Sequence, residues 1–159
     1  MRLSQDQSAP VDGKGLRVAI VTARFNHEAT DKLCEGARRT LLASGVAPDA
    51  IESFAIPGAF ELPLACSMVI GTGRFDAVVA LGAVIRGDTD HYVYVCGEAS
   101  RGVARVQLKT GVPIGFGLLT CDTAEQAFAR AGGSAGNKGE DAALAALQMC
   151  ALRRSLHRA

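Results

Sequence analysis

Residues 86–91 combine residue types that could bind an anion beside a proton-transfer group. They follow a short apolar run and precede a helical pattern, so their backbone N–H groups should face outward at the positive end of a helix dipole. Gly87 lets an anion approach the backbone, Thr89 adds a hydroxyl donor and Arg86 adds positive charge, which together predict a phosphate site. In a simpler interpretation of the same spacing, Thr89 or Asp90 only caps the helix.

The chain has three histidines, and His91 is the one beside this predicted anion loop. An imidazole can donate and accept a proton near pH 7, which makes His91 the candidate for acid–base catalysis. His27 and His157 fall in or near helix termini, where we expect them to be solvated. A structural or solvent-exposed role for His91 is the competing interpretation of its position.

Two further strand ends carry residues suited to a planar, polar ligand. Residues 57–61 offer backbone polar groups, the aromatic ring of Phe60 and the carboxylate of Glu61, a set that suits a heterocycle. Phe25, after the first apolar run, could stack on the same ring. Alternatively, both phenylalanines pack in the core and Glu61 only complements the dipole of a helix's first turn.

Several well-known site motifs are absent from the sequence. The glycine-rich segment between Arg130 and Lys138 lacks the spacing and the hydroxyl of a P-loop, and it follows a helical pattern rather than a strand. Neither GxGxxG nor GxSxG occurs, so neither a dinucleotide site nor serine hydrolase chemistry is indicated. No metal site is predicted, because no His, Asp or Glu cluster has ligand spacing and the five cysteines include no CxxC pair.

Length and composition fit one soluble domain. The chain has 159 residues, of which 48% are hydrophobic, and a formal net charge of +1. This balance gives no electrostatic reason to expect nucleic acid or a membrane surface as a partner. No apolar run approaches the ~20 residues of a bilayer span or forms a signal-peptide core. We therefore expect a cytoplasmic protein, with residues 1–14 as a flexible arm and residues 15–159 as a single domain.

Short apolar runs alternate with helical patterns along the chain. The apolar runs predict buried strands at about residues 16–22, 51–56, 77–83 and 112–119. Helices are predicted at about residues 26–44, 61–70, 90–109, 123–131 and 138–157, with Asn26 and Thr123 as N-caps. This order predicts a three-layer α/β/α sandwich around a four-stranded parallel sheet. Ligands then bind beyond the carboxyl ends of the strands, where the segments described above lie.

The last predicted helix is apolar on more than one side. The residues concerned are Ala142, Ala143, Ala145, Ala146, Leu147, Met149, Cys150 and Leu152. A helix that is apolar on most sides is buried on most sides. Either a neighbouring subunit covers part of it, or it is a core helix covered by its own chain.

Taken together, these motifs resemble those of the lumazine synthase family of riboflavin biosynthesis. The matching segments are RFN (24–26), PGAFELP (57–63), GAVIRGDTDHY (82–92), VP (112–113), FG (116–117), EQA (125–127), RAG (130–132) and NKG (137–139). They occur in the order of the family and span about residues 16–152. One such match would be weak, whereas a colinear series over nearly the whole chain is specific.

The resemblance implies an activity and a fold. Members of the family condense 5-amino-6-(D-ribitylamino)uracil with 3,4-dihydroxy-2-butanone 4-phosphate, giving 6,7-dimethyl-8-ribityllumazine, phosphate and water. They are transferases with a flavodoxin-like fold, and no metal or organic cofactor is implied. The N-terminal arm is then a candidate strand for the sheet of a neighbouring subunit.

The resemblance also implies roles for single residues. His91 matches the proton-transfer residue of the family, and Phe116 matches an aromatic side chain that arrives from a neighbouring subunit. The other implied substrate-binding residues are Phe25, Asn26, Ala59, Phe60, Glu61, Ala83, Val84, Ile85 and Lys138. The implied phosphate-binding residues are Gly87, Asp88, Thr89 and Arg130.

Two positions depart from the family pattern. Asp88 is acidic where a small residue is common, so we expect its backbone N–H to face the phosphate and its side chain to turn away. Gly115 is smaller than the usual aliphatic residue, which would loosen the wall around Phe116.

The resemblance further implies a homo-oligomer. The family forms pentamers, and in some members twelve pentamers build an icosahedral shell of 60 subunits. The turn before residues 137–139 resembles the shell-forming type, and riboflavin synthase is a further candidate partner. Two alternatives stay open, namely a homologue that binds a flavin or lumazine without turnover and an unrelated flavodoxin-like protein.

Overall fold

Four parallel strands form one sheet in the computed structural model, which describes residues 11–158. They are β1 (Val18–Ala23), β2 (Ile51–Ile56), β3 (Ala77–Ile85) and β4 (Ile114–Cys121), in the spatial order β2-β1-β3-β4. The central strands β1 and β3 are continuous apolar runs because both of their faces are covered. The free edge of β4 bounds the sheet on one side.

Helices cover both faces of this sheet. They are α1 (His27–Ala43), α2 (Leu62–Gly71), α3 (His91–Thr110), α4 (Ala124–Arg130) and α5 (Lys138–Leu156). α1, α4 and α5 share one hydrophobic core with the sheet, and α2 and α3 share the other. The predicted three-layer α/β/α sandwich with a four-stranded parallel sheet is therefore confirmed.

Strand β3 contributes side chains to both hydrophobic cores. Val79, Leu81 and Ala83 face the layer of α1, α4 and α5, whereas Val78 and Ala80 face α2 and α3. This alternation follows from the two-residue period of a strand. Continued to the strand end, it places Ile85 on the first side and Val84 on the second.

The segments around α4 are built from local hydrogen bonds. The predicted cap is confirmed, because Thr123 Oγ1 accepts a hydrogen bond from Gln126 N at 3.2 Å. The predicted glycine-rich turn contains a small antiparallel hairpin, formed by β5 (Ala131–Gly133) and β6 (Gly136–Asn137). Asn137 then caps α5 through hydrogen bonds from Gly139 N and Glu140 N to its Oδ1.

Residues 11–14 were predicted as the end of a flexible arm, yet they contact the domain. Gly13 is buried, and its N–H donates to the carbonyl oxygen of Ser44 at 2.7 Å. Val11 packs against the core of α1 and α5. These four residues are therefore part of the folded unit, while the rest of the predicted arm and its proposed strand addition lie outside the described residues.

Strand β4 and helix α5 approach each other closely at Gly115. A Cβ atom at this position would lie 2.0 Å from the carbonyl oxygen of Ala142, and at Gly117 it would lie 2.4 Å from Leu81 Cδ2. The small residue that departs from the family pattern therefore lets the backbones of strand and helix meet. In this chain the space at Gly115 is filled by α5 rather than left empty.

Helix α5 buries one side and exposes another. Ala142, Ala146 and Leu147 are buried in the core, while Met149 and Leu152 are about half exposed. The open side is apolar, so residues 11–158 leave part of the helix uncovered. Within residues 11–158, no helix combines the length and the apolar character needed to cross a bilayer.

Candidate functional site

Backbone hydrogen bonds join the ends of β1 and β2 at the carboxyl edge of the sheet. Arg24 N donates to the carbonyl oxygen of Ile56 at 2.8 Å, and Phe25 N donates to that of Pro57 at 3.1 Å. The two predicted ligand segments at these strand ends are thus adjacent in space.

Asn26 fixes the same turn to β3. Its backbone is left-handed, with φ of 59°, and within the described part of the chain it is the one residue other than glycine with positive φ. Its side chain does not cap α1 as predicted, because its Nδ2 donates to the carbonyl oxygen of Ala83 at 2.8 Å. Asparagine tolerates this backbone region better than most residues, so one side chain serves both the turn and the link.

Substitutions at Asn26 should separate these two contributions. Asn26→Gly keeps the left-handed turn but loses the amide donor, and we expect it to lower the free energy of unfolding by about 1 kcal/mol. Asn26→Ala loses the donor and also strains the backbone, so we expect it to lower the free energy of unfolding by about 2–3 kcal/mol. Urea unfolding at matched protein concentration measures both. An alanine variant as stable as the glycine variant would contradict the strain at this position.

A cleft of about 380 Å³ opens at this edge, on the side of α1 and α4. The lining residues that bear on the predictions are Phe25, Asn26, Ile85, Ala127 and Phe128. Phe25 is 72% exposed, so its ring is available for stacking rather than packed in the core. Phe128 was missed by the sequence predictions; its signal was an aromatic residue in a short helix just after a strand end.

The segment 59–61 reaches the same edge from the other side of the sheet. Ala59–Glu61 forms a 3₁₀ turn that contacts α3 and the end of β3. Ala59 is buried against the core of α2 and α3, while Phe60 is 58% exposed. The structure thus brings Phe25 and Ile85 into the cleft, whereas Ala59, Phe60 and Val84 lie toward the opposite helical layer.

The predicted anion loop leads from β3 into α3. His91 is the first residue of α3, and its N–H lies 3.4 Å from Thr89 Oγ1. Residues 86–91 are all exposed. Among the residues that the structure describes, nothing lies within 4 Å of the place that a Cβ at Gly87 would take, so the space above this backbone is open to a ligand. The predicted anion loop and the imidazole therefore form one continuous exposed segment.

Arg86 was predicted to lend its charge to the anion site, but its guanidinium already has partners. Its Nε donates to Asp122 Oδ1 at 2.7 Å, and its Cζ lies 4.1 Å from the centroid of the Tyr92 ring. The hydrogen bond to Asp122 raises the pKa of Arg86 above its usual value. Neither partner was identified from the sequence. For Asp122 the reason is distance, because this carboxylate lies 36 residues further along the chain.

Arg130 lies at the end of α4, near the carboxyl end of β4. Its Nη1 donates to the carbonyl oxygen of Gln126 at 3.0 Å. Burial raises the pKa of the thiol of Cys121, the last residue of β4, and the positive charge of Arg130 opposes that rise. Between residues 11 and 158, no hydrogen bond joins Arg130 to the loop at 87–89.

Phe116 and Lys138 lie in a second cleft, of about 560 Å³, along the free edge of β4. Phe116 is 46% exposed, and Lys138 Nζ pairs with Asp141 Oδ2 at 2.7 Å. Residues of α5, including Met149, form its apolar wall. The two clefts share no lining residue, so the structure divides the predicted site residues between two surfaces of the chain.

Metal chemistry has no evident ligand set at either cleft. Within residues 11–158, His, Cys, Asp and Glu side chains nowhere gather in a group of three that could hold an ion.

Comparison with known proteins identifies the family. The sequence model of the 6,7-dimethyl-8-ribityllumazine synthase family matches residues 15–154. The 6,7-dimethyl-8-ribityllumazine synthase of Desulfovibrio desulfuricans is 51% identical over 138 residues, which cover 87% of this chain and 88% of that protein. The enzyme of the same name from Halorhodospira halophila is 53% identical over 140 residues, covering 88% and 90%. With its fold and these similarities together, the chain belongs to the 6,7-dimethyl-8-ribityllumazine synthase family.

Proposed function

We propose that this chain condenses 5-amino-6-(D-ribitylamino)uracil with 3,4-dihydroxy-2-butanone 4-phosphate to form 6,7-dimethyl-8-ribityllumazine, the penultimate step of riboflavin biosynthesis. Family membership supports the reaction. The observation that carries the proposal is the cleft at the carboxyl edge of the sheet, where the exposed ring of Phe25 lies beside Ile85. The anion loop and His91 follow directly after that strand end.

The condensation depends on a series of proton transfers. The amine of the pyrimidine adds to the ketone and loses water to give a Schiff base. Elimination then breaks the bond to phosphate, and the second amine closes the ring with loss of water. Each step moves a proton at a nitrogen, carbon or oxygen atom, which an exposed imidazole at His91 can accept and return. Holding the two substrates together supplies a large share of the rate.

Each substrate has a matching surface. Phe25 stacks on the pyrimidine, Asn26 and residues 83–85 flank it, and Ala59–Glu61 hold the ribityl chain at the opposite side of the strand ends. The phosphate binds to the backbone N–H groups of residues 87–89 and the Thr89 hydroxyl, where the helix dipole of α3 favours an anion. Asp88 is exposed, so its carboxylate has room to turn toward solvent.

The separation of the two clefts supports a site shared between copies of the chain. Phe116 and Lys138 lie along the edge strand β4, next to the apolar side of α5 that residues 11–158 leave uncovered. We place these residues at the first cleft of a neighbouring subunit, in a cytoplasmic pentamer. Twelve such pentamers in an icosahedral shell are a further form of the same assembly. Size-exclusion chromatography with light scattering distinguishes a pentamer from a 60-subunit particle.

Product formation tests the reaction. Purified protein is mixed with both substrates, and the fluorescence of the lumazine is followed together with phosphate release. The proposal expects both signals to rise in step and to depend on each substrate. Tight binding of lumazine or riboflavin with no turnover would favour the non-catalytic binding homologue instead.

Arg130 should serve the phosphorylated substrate. Its charge can stabilise the phosphate as it departs, so we expect Arg130→Ala to raise KM for the butanone phosphate about 10- to 100-fold, the range for losing a charged hydrogen bond. KM for the pyrimidine should change little, and Arg130→Lys should recover part of the loss. Steady-state kinetics with each substrate varied in turn measures this. Equal losses for both substrates would contradict the phosphate assignment.

A further inference from the structure

We infer that Arg86 is a positioning residue that fixes the loop between Gly87 and His91 by pairing with Asp122 and stacking on Tyr92. The inference rests on the proposed function for its kinetic consequences. Its structural part concerns the loop alone and can be tested without turnover. We assign Arg86 no direct contact with the substrate.

The contacts of Arg86 hold the loop at both of its ends. At the first end, Arg86 N donates to the carbonyl oxygen of Cys121 at 2.8 Å, which continues the pairing of β3 with β4. At the other end, the guanidinium lies on the ring of Tyr92, the residue directly after His91. One side chain thus spans the segment from 86 to 92 and limits how far its ends can move apart.

Asp122 is itself held in place. Its N–H donates to Gln126 Oε1 at 2.8 Å, within the same turn that Thr123 caps. Arg130 Nη1 bonds to the carbonyl oxygen of Gln126 on the next turn. The ion pair therefore joins the predicted anion loop to the turn that leads into α4, the helix that carries the predicted phosphate residue Arg130, so Arg86 helps to set their relative position.

Tyr92 provides a fixed platform for the guanidinium. The ring is half-buried, and its hydroxyl lies beside the side chains of Thr120 and Cys96. Burial raises the pKa of Tyr92, so the phenol stays neutral near pH 7 and the contact is that of a cation on an uncharged ring. The ring belongs to α3 rather than to the loop itself.

Few other interactions hold the loop. Among residues 11–158, the hydrogen bonds inside it are the contact of His91 N with Thr89 Oγ1 and that of Val93 N with the carbonyl oxygen of Asp90. The side chains of Arg86 and Asp122 are 48% and 63% exposed, so the pair adds little to global stability. Its loss should therefore affect the loop more than the fold.

The chain offers a matched control at the opposite edge of the sheet. Arg74 Nη1 lies 2.8 Å from Glu52 Oε2, and its Cζ lies 4.8 Å from the centroid of the Phe75 ring. This is the same combination of an exposed ion pair and an aromatic platform, but it precedes β3 instead of following it. Arg74→Ala removes equivalent contacts far from the anion loop.

The test compares Arg86→Ala with Arg74→Ala in the full-length protein. Hydrogen–deuterium exchange of the peptide covering 86–96 should accelerate several-fold in Arg86→Ala and stay unchanged in Arg74→Ala. Titration with inorganic phosphate should show about tenfold weaker binding, in line with the cost of a misplaced binding group. Arg86→Lys, which keeps the charge without the planar fork, should give an intermediate affinity.

Steady-state kinetics measure an effect that a purely structural role of Arg86 would not produce. Arg86→Ala should raise KM for the butanone phosphate about tenfold while KM for the pyrimidine and Tm stay near those of the parent. The double variant Arg86→Ala/Asp122→Asn should raise KM for the butanone phosphate no more than the larger of the two single changes does. The reason is that each single change already breaks the same ion pair. If Arg86→Ala does not fold, Asp122→Asn alone carries the same comparison.

Clear outcomes overturn the inference. Unchanged loop exchange and unchanged phosphate affinity in Arg86→Ala would do so, as would equal effects of Arg74→Ala. Failure of the parent protein to form lumazine would instead contradict the proposed function, while the exchange and phosphate measurements would still decide the role of Arg86.

Discussion

His91→Ala should lower kcat about 100-fold, the low end of the effect of removing a general acid–base group. We expect the low end because positioning of the two substrates, which the variant retains, supplies much of the acceleration. The fold should survive, since His91 is exposed and its ring makes no hydrogen bond with residues 11–158. Single-turnover formation of lumazine, measured for both proteins across the pH range, provides the rates.

His157→Ala is the control for this change. His157 follows α5 at the far end of the chain, and it is exposed like His91. It should leave turnover and its pH dependence unaltered. A rate for His91→Ala equal to that of the parent protein would remove His91 from the proposed mechanism, whatever the effect of the control.

Gly115→Ala should be the most destabilising of the substitutions considered. The new Cβ would lie 2.0 Å from the carbonyl oxygen and 2.7 Å from the carbonyl carbon of Ala142, and both belong to backbone that cannot rotate away. Strand β4 and helix α5 would have to separate, which we expect to cost about 3 kcal/mol, the upper end of the usual cost of overpacking. Denaturant unfolding at a fixed protein concentration measures the loss, because assembly makes stability depend on concentration.

Gly71→Ala offers a comparison with little steric effect. Gly71 ends α2 with nothing within 4 Å of a built Cβ and no positive φ. Alanine there should change stability by less than about 1 kcal/mol, in the stabilising direction. Equal unfolding midpoints for the two alanine variants would show that β4 and α5 are less closely packed at Gly115 than the structure indicates. In the expected case Phe116, the next residue, would be displaced in the second cleft.

The elements were predictable because their signals are local. The continuous apolar run of β3 reflects burial on both faces, and the cap at Thr123 lies within four residues of its partner. Helix bounds fell within one residue of the prediction, and strand bounds fell within two. The order of strands in the sheet was not part of the prediction, since adjacency of β1 to both β2 and β3 depends on packing between distant segments.

The errors at the site have the same origin. Asn26 has the residue type and position of an N-cap, but its side chain finds a carbonyl group 57 residues away. Arg86 looks like a free cation beside an anion loop until Asp122 is placed next to it. Residue type limits what a side chain can do, whereas the partner that it selects depends on the tertiary fold.

The structure brings some of the predicted site residues together and separates others. Phe25, Asn26 and Ile85 meet in one cleft, and Thr89 and His91 lie on one exposed loop. Phe116 and Lys138 instead share a cleft on the edge of β4. The resemblance implied that Phe116 acts across a subunit boundary, and its exposed position in this second cleft leaves the ring accessible to a neighbouring copy of the chain.

The β5–β6 hairpin separates Arg130 from Lys138 along the chain. It begins directly after Arg130 and ends directly before Lys138, and its base is fixed by the pairing of Ala131 with Asn137. Residues 134 and 135 form its exposed tip. Because antiparallel pairing fixes the distance across the base, a peptide added at the tip would leave the spacing of the two cations unchanged. The tip is therefore a natural insertion point for displaying foreign segments on this scaffold. By contrast, inserting or deleting one residue at the base would displace Arg130 and Lys138 together.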